Sequence, residues 1–214
     1  MKQSICIIDD NLPIEKFSDF MDSREIVNKN NFKHLLTLNS ENWDDKNLYD
    51  LVLNISKTPE YEISGFVSHE NFLNYSENNI FSPLVVVFDW NIAGQTVDSK
   101  DTLIEILKKK HCLIAIYTES DNADEISQLI DSNDFASYKE RLFLLVKQTD
   151  NSAKILQQKI NEILEQNFSF KFSQDLKMKN LNALDDVLTL ISKLSFDEFI
   201  SLFGERDHEK SKLS

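Results

Sequence analysis

The stretch Leu84 to Gly94, LVVVFDWNIAG, confines the fold of this chain more than any other: five apolar residues, three of them consecutive valines, stop abruptly on Asp89. A short β-branched run of this kind, bounded by polar turn residues, predicts a strand of a parallel sheet buried on both faces. Asp89 then falls at the strand's carboxyl end, the edge of an open α/β sheet where ligands bind. An acid placed there is a candidate site residue.

Other short apolar runs alternate with helical patterns along the chain. Ser4 to Ile8, SICII, predicts a strand that ends on Asp9 and Asp10, followed by Pro13 at the first turn of a helix carrying Ile14, Phe17, Phe20 and Met21. The pattern weakens from Asp22 to about Asn42, which reads as loop with a short helix. Between Trp43 and Lys57, Leu48, Leu51, Val52 and Ile55 recur at helical spacing, with Asp44 and Asp45 in the first turn and Pro59 beyond the end. Tyr61 to Ser68 reads as a strand and His69 to Ser76 as a short helix. After the strand ending on Asp89, Asp101 to Lys110 is a helix with three lysines at its carboxyl end, and His111 to Tyr117 is a strand ending on Thr118. Asn122 to Asp131 is a helix, Arg141 to Val146 a strand ending on Lys147, and Ser152 to Gln166 a last amphipathic helix. The alternation predicts an α/β fold, a doubly wound parallel sheet of five strands, over residues 1–166.

A C-terminal helical extension is expected over 167–204. Phe168, Phe170 and Phe172 alternate with polar residues, the mark of an added edge strand or an apolar linker. Leu181, Leu184, Leu188 and Ile191 then repeat at 3, 4 and 3, a seam for another helix within the chain or in a homodimer. Ser195 and Glu198 form a capping box for a short helix that Gly204 ends, and the polar tail 205–214 is expected to be disordered.

Composition removes several classes of function. The formal charge of −13, 36 acids against 23 bases, argues against direct nucleic-acid binding, which rests on Lys and Arg neutralising phosphates. Cys6 and Cys112 lie inside apolar strand runs, the positions of small core residues and not of a disulfide. No apolar stretch is long enough to span a membrane and no signal-peptide pattern opens the chain, so a cytoplasmic protein is expected.

In a parallel sheet the strands ending on Asp9-Asp10, Asp89, Thr118 and Lys147 bring these residues to one edge. Carboxylates about 4 Å apart repel by roughly 4 kcal/mol per pair at an effective dielectric near 20, and a hard divalent cation reverses that repulsion. Mg²⁺ suits such an all-oxygen site. An Asp beside Mg²⁺ can act as a nucleophile toward a phosphoryl group, with a Lys ammonium and a Thr hydroxyl offsetting charge on the transferred oxygens.

The ordered set of two acids after the first strand, Asp89, Thr118 and Lys147 resembles a response-regulator receiver domain, a flavodoxin-like fold, over about residues 1–166. The resemblance implies that Asp89 is the phosphoacceptor, that Asp10 is a direct and Asp9 a water-mediated Mg²⁺ ligand, and that Asn91 offers its backbone carbonyl to the metal. Thr118 would contact the phosphoryl group and Lys147 would pair with it. About 80 residues separate the first acids from Asp89, more than receivers have, which places an insertion at about 22–57. The chain also departs from the pattern at Gln148, where receivers have Pro, at Glu119, where they have a small residue, and at Leu144, where they carry an aromatic switch. Phe143 falls one position off that switch.

The implied function is a phosphorylation-dependent switch that takes its phosphoryl group from a histidine kinase or phosphotransfer protein and regulates association with an effector protein or domain. Any enzymatic character would be confined to self-catalysed phosphotransfer and dephosphorylation. The first alternative is a pseudo-receiver, a constitutive binding or dimerisation module with a vestigial acidic corner. A less favoured alternative is a haloacid-dehalogenase-like phosphatase, whose D-x-D nucleophile motif is here Asp89-Trp90-Asn91 and whose paired acids come late in the chain.

Overall fold

The structure, a computed structural model, describes residues 3–13, 36, 40–78, 81–92, 98–147, 151–191, 193, 198 and 201. The expected helix after Pro13, the short helix after Ser195 and the tail 205–214 lie outside the described residues or largely so.

Five strands, β1 (Gln3–Ile8), β2 (Tyr61–Phe66), β3 (Val85–Asp89), β4 (Leu113–Thr118) and β5 (Leu142–Val146), form one sheet in the order β2-β1-β3-β4-β5. Every pairing is parallel, with Ile5 opposite Val85, Val85 opposite Leu113 and Ile114 opposite Leu142. The doubly wound five-stranded sheet read from the sequence is the fold. Its two central strands on the carboxyl side, β3 and β4, are buried at every residue, as continuous apolar runs in a parallel sheet require.

The connecting helices are α1 (Lys46–Ser56), α2 (His69–Asn78), α3 (Ser99–Lys109), α4 (Ala123–Ile130) and α5 (Ser152–Gln166). Strand alternation sends Cys6, Ile8, Phe66, Val86, Phe88, Ile114 and Ile116 to one face, where they pack with Phe72 of α2, Leu103 and Ile106 of α3 and Ile126 of α4. α1 packs against α5 and β2, and α5 against β5, so these two helices cover the other face. α1 lies within the stretch that the spacing assigned to an insertion and follows a short 3-10 helix at Ser40–Asn42. Its four apolar residues, Leu48, Leu51, Val52 and Ile55, are all buried. Both cysteines are buried and free.

Local chemistry sets the helix ends. Asp45 caps α1 by accepting the Leu48 N–H at 3.0 Å, and Asp98 caps α3 through the Lys100 N–H at 2.9 Å. At the other end of α3 the Arg141 guanidinium donates to the carbonyls of Leu107 and Lys110, both at 3.0 Å. These are carbonyls that a helix terminus leaves without an intrahelical donor.

The chain divides into two compact units, Met1–Asn167 and Phe168–Ser214. The second contains α6 (Phe168–Ile191), a continuous helix. The edge strand or linker expected for 168–172 is therefore incorrect. Alternation over five residues suggested a period of two, yet no Gly or Pro interrupts 168–191 and long unbranched helix formers follow. On the helix Phe168 and Phe172 become neighbours one turn apart and stack with ring centroids 6.3 Å apart. Among the described residues no helix is long and apolar enough to cross a membrane.

Candidate functional site

Backbone hydrogen bonds that continue past the strand ends hold the corner residues in place. The Asp9 N–H donates to the Phe66 carbonyl at 3.0 Å, the Trp90 N–H to Tyr117 at 3.0 Å, and the Lys147 N–H to Thr118 at 2.7 Å. The residues just beyond β1, β3 and β5 thus inherit the register of the sheet.

Asp9, Asp10 and Asp89 meet there, each offering one carboxylate oxygen within 4.8 Å of the others. Asp9 and Asp89 are buried and Asp10 is half-buried. Asn11 holds Asp9, donating its backbone N–H at 2.9 Å and its side-chain amide at 3.1 Å to Oδ1. The same amide reaches Asp10 Oδ1 at 3.4 Å. The second Asp9 oxygen, Oδ2, is buried with no hydrogen-bond partner, and so is Oδ1 of Asp89.

Lys147 lies between two carboxylates. Its ammonium donates to Asp45 Oδ2 at 3.0 Å and stands 3.2 Å from Asp89 Oδ1, an ion pair outside hydrogen-bond geometry. It also sits over the Tyr117 ring, 5.0 Å from the centroid, where the π face favours a cation.

These surroundings move the proton equilibria. Burial, then the Asp89 charge, push Asp9 up from its ordinary 3.8 to about 7. Burial also raises Asp89, against the opposing Lys147 charge and a hydrogen bond from the Asn91 backbone N–H. For Lys147, burial works to discharge the ammonium, but Asp89, Asp9 and Asp45 together outweigh it and keep the group charged.

The donor set fits a hard divalent cation. Oxygens bound to Mg²⁺ at 2.0–2.1 Å lie about 3 Å apart when adjacent and about 4.2 Å when opposite, so a small inward adjustment closes the cluster. The unsatisfied oxygens of Asp9 and Asp89 would gain a partner in the same step. The three acids are capable of coordinating such an ion.

The other residues singled out by the sequence are placed as follows. Asn91 is exposed two residues beyond Asp89. Thr118 ends β4, wholly buried, and its hydroxyl has no hydrogen-bond partner. Strand alternation puts that hydroxyl on the pleat face of Ile114 and Ile116, opposite Tyr117, which pairs with Asp89. Glu119 is exposed, Leu144 is half-buried against the core that contains Phe72, Leu103 and Ile126, Phe143 is buried, and Gln148 lies outside the described residues. Sequence reasoning assigned no site role to Asp45, Tyr117 or Asn11. A helix that follows a strand in a parallel sheet starts at the ligand-binding edge, so the acids opening α1 carried a signal that went unused.

No family model matches the chain, and no curated protein matches it. Among solved structures, a yeast Spc42 trimeric coiled-coil segment fused to another structure aligns with TM-score 0.47 and 13% identity, covering 88% of this chain and 95% of that one. At that score the likeness carries no argument.

Proposed function

We propose that this protein is a receiver-like signalling switch that accepts a phosphoryl group on Asp89 with Mg²⁺ held by Asp9, Asp10 and Asp89. The observation that carries this reading is the convergence of three carboxylates within 4.8 Å at one sheet edge, with the Lys147 ammonium 3.2 Å from Asp89. The cation, when bound, neutralises the incoming phosphoryl oxygens. The Asp89 carboxylate forms a bond to phosphorus while the P–N bond of a phosphohistidine donor breaks, its electron pair leaving with the imidazole. Lys147 offsets charge on the transferred group, and Thr118 would contact that group after its hydroxyl turns toward the edge. The Asn91 carbonyl is a further ligand under this reading. A histidine kinase or phosphotransfer protein would be the donor. The acidic surface and α6 support an output through association with an effector or a second copy of the chain.

Intact mass after incubation with Mg²⁺ and a small-molecule phosphodonor, or a histidine kinase, tests the reading. One phosphoryl adduct is expected on the native chain and none on Asp89→Asn. Absence of an adduct from the native chain with both donors would refute it. That result would favour a constitutive association module, a second reading supported by the ion pairs that engage Lys147 with Asp45 and Asp89.

A further inference from the structure

The contact between Asp45 and Lys147 joins residues 102 positions apart and belongs to none of the roles above. Both side chains are largely shielded from water, 12% exposed for Asp45 and 7% for Lys147. Screening is weak at such burial, so removing either partner would leave a shielded charge uncompensated. The Asp45 carboxylate is divided between two tasks. Oδ1 accepts the Leu48 N–H and caps α1, while Oδ2 accepts the Lys147 ammonium.

The two partners differ in freedom. Asp45 is fixed by its cap bond, by the Tyr49 N–H donating to its carbonyl at 3.1 Å, and by the buried face of α1. Trp43, two residues earlier, is buried and meets the Tyr49 ring edge-on with centroids 5.4 Å apart. Lysine carries its charge on a flexible four-carbon stem. Its ammonium is nearly equidistant from Asp45 and Asp89, at 3.0 and 3.2 Å. Any gain of negative charge at Asp89 therefore draws the ammonium toward β3, and Asp45 cannot follow.

We propose that Asp45 is a positioning residue that competes with Asp89 for Lys147, and that charge added at Asp89 takes the lysine from Asp45 and uncouples the N-terminus of α1 from the sheet edge. The second half rests on the reading of Asp89 as a phosphoacceptor; the competition itself does not. Asp45 thereby opposes the phosphorylated state, because that state leaves a shielded carboxylate without its cation. It also makes α1, on the face shared with α5, the element that senses the occupancy of Asp89.

Asp45→Asn separates the two tasks of this side chain, since Asn caps a helix as well as Asp but carries no charge. The first arm of the test uses the whole 214-residue chain without cation or phosphodonor. Urea unfolding of Asp45→Asn, Lys147→Met and the double variant gives the Asp45–Lys147 coupling, and the cycle is repeated in an Asp89→Asn background. Competition predicts that the coupling, expressed as an equilibrium constant, rises by about fivefold or more once Asp89 loses its charge. Equal coupling in both backgrounds would overturn the proposal, whatever Asp89 does chemically.

The second arm measures the steady-state ratio of phosphorylated to unphosphorylated chain by intact mass. Asp45→Asn is expected to raise that ratio by about three- to tenfold, a change that loss of a cap does not produce. An unchanged ratio in a chain that does become phosphorylated overturns the link to α1. Increased coupling in the first arm with no adduct on any variant upholds the competition and refutes the phosphoacceptor reading alone.

Discussion

Removing the charge of Asp9 should make the metal-free protein more stable at neutral pH, although Asp9 is wholly buried at the acidic corner of the sheet and hydrogen-bonded twice by Asn11. Its proton is held to about pH 7 in the fold, against an ordinary value of 3.8. At 1.36 kcal/mol per pH unit, that difference sets a ceiling of about 4 kcal/mol on the penalty for ionising it. Coulomb repulsion gives a similar scale, about 3.5 kcal/mol for two carboxylates 4.8 Å apart at an effective dielectric of 20. The sign follows from the raised value: stability linked to Asp9 is fully present below about pH 4 and is lost as pH rises through about 7. In Asp9→Asn the remaining carbonyl still accepts both Asn11 bonds, while the new amide needs a partner, at a cost of about 1–3 kcal/mol if it finds none. The expected result in urea unfolding with chelator is a variant more stable than native by about 1–3 kcal/mol at pH 8. The advantage should shrink or reverse by pH 4.5. A native-to-variant difference that stays constant across this range would refute the argument, because a purely structural effect of the amide does not titrate.

Further outcomes concern the cation and the second unit. Asp10→Ala should abolish saturable Mg²⁺ binding measured by calorimetry, and the native chain should gain about 2.7 kcal/mol of unfolding free energy at a Mg²⁺ concentration one hundred times Kd; an unchanged titration would remove Asp10 from the cluster. Truncation after Gln166 should lower any oligomeric mass measured by light scattering, since α6 exposes Phe168, Phe172, Leu176, Val187 and Leu190; an unchanged mass would exclude α6 from self-association.

The sheet was legible because burial on both faces leaves an unmistakable trace. VVVF in β3 and LIAIY in β4 cannot alternate in polarity where neither face meets water. The acids that interrupt those runs stood out for the same reason, so Asp9, Asp10 and Asp89 could be placed at one edge before any distance was known. The register supplied the rest, since parallel strands that begin in step deliver their carboxyl ends together. Phe168 to Phe172 misled because five residues contain too few turns to separate a period of two from one of 3.6, and only the length of α6 decides it. The hydroxyl of Thr118 illustrates a different limit: its position in the chain was clear, but its side of the pleat depends on the register of β4 against β3.

Asp45 was harder to see because its effect depends on a residue beyond β5. A cap acid at the start of a helix looks the same in sequence whether it faces water or a lysine, and 102 residues of chain separate it from Lys147. Topology is what brings them together, since α1 covers the face of the sheet also covered by α5 and opens at the edge where β5 ends. Four carboxylates, those of Asp9, Asp10, Asp45 and Asp89, then share a corner with the Lys147 ammonium. The Lys147 ammonium by itself does not neutralise four carboxylates. Protonating Asp9 relieves part of the excess and a bound divalent ion would relieve more, and both bear on Lys147, whose ammonium feels the charges of Asp9 and Asp89 together. The helix that carries Asp45 is therefore tied to the charge state of the site through one mobile side chain.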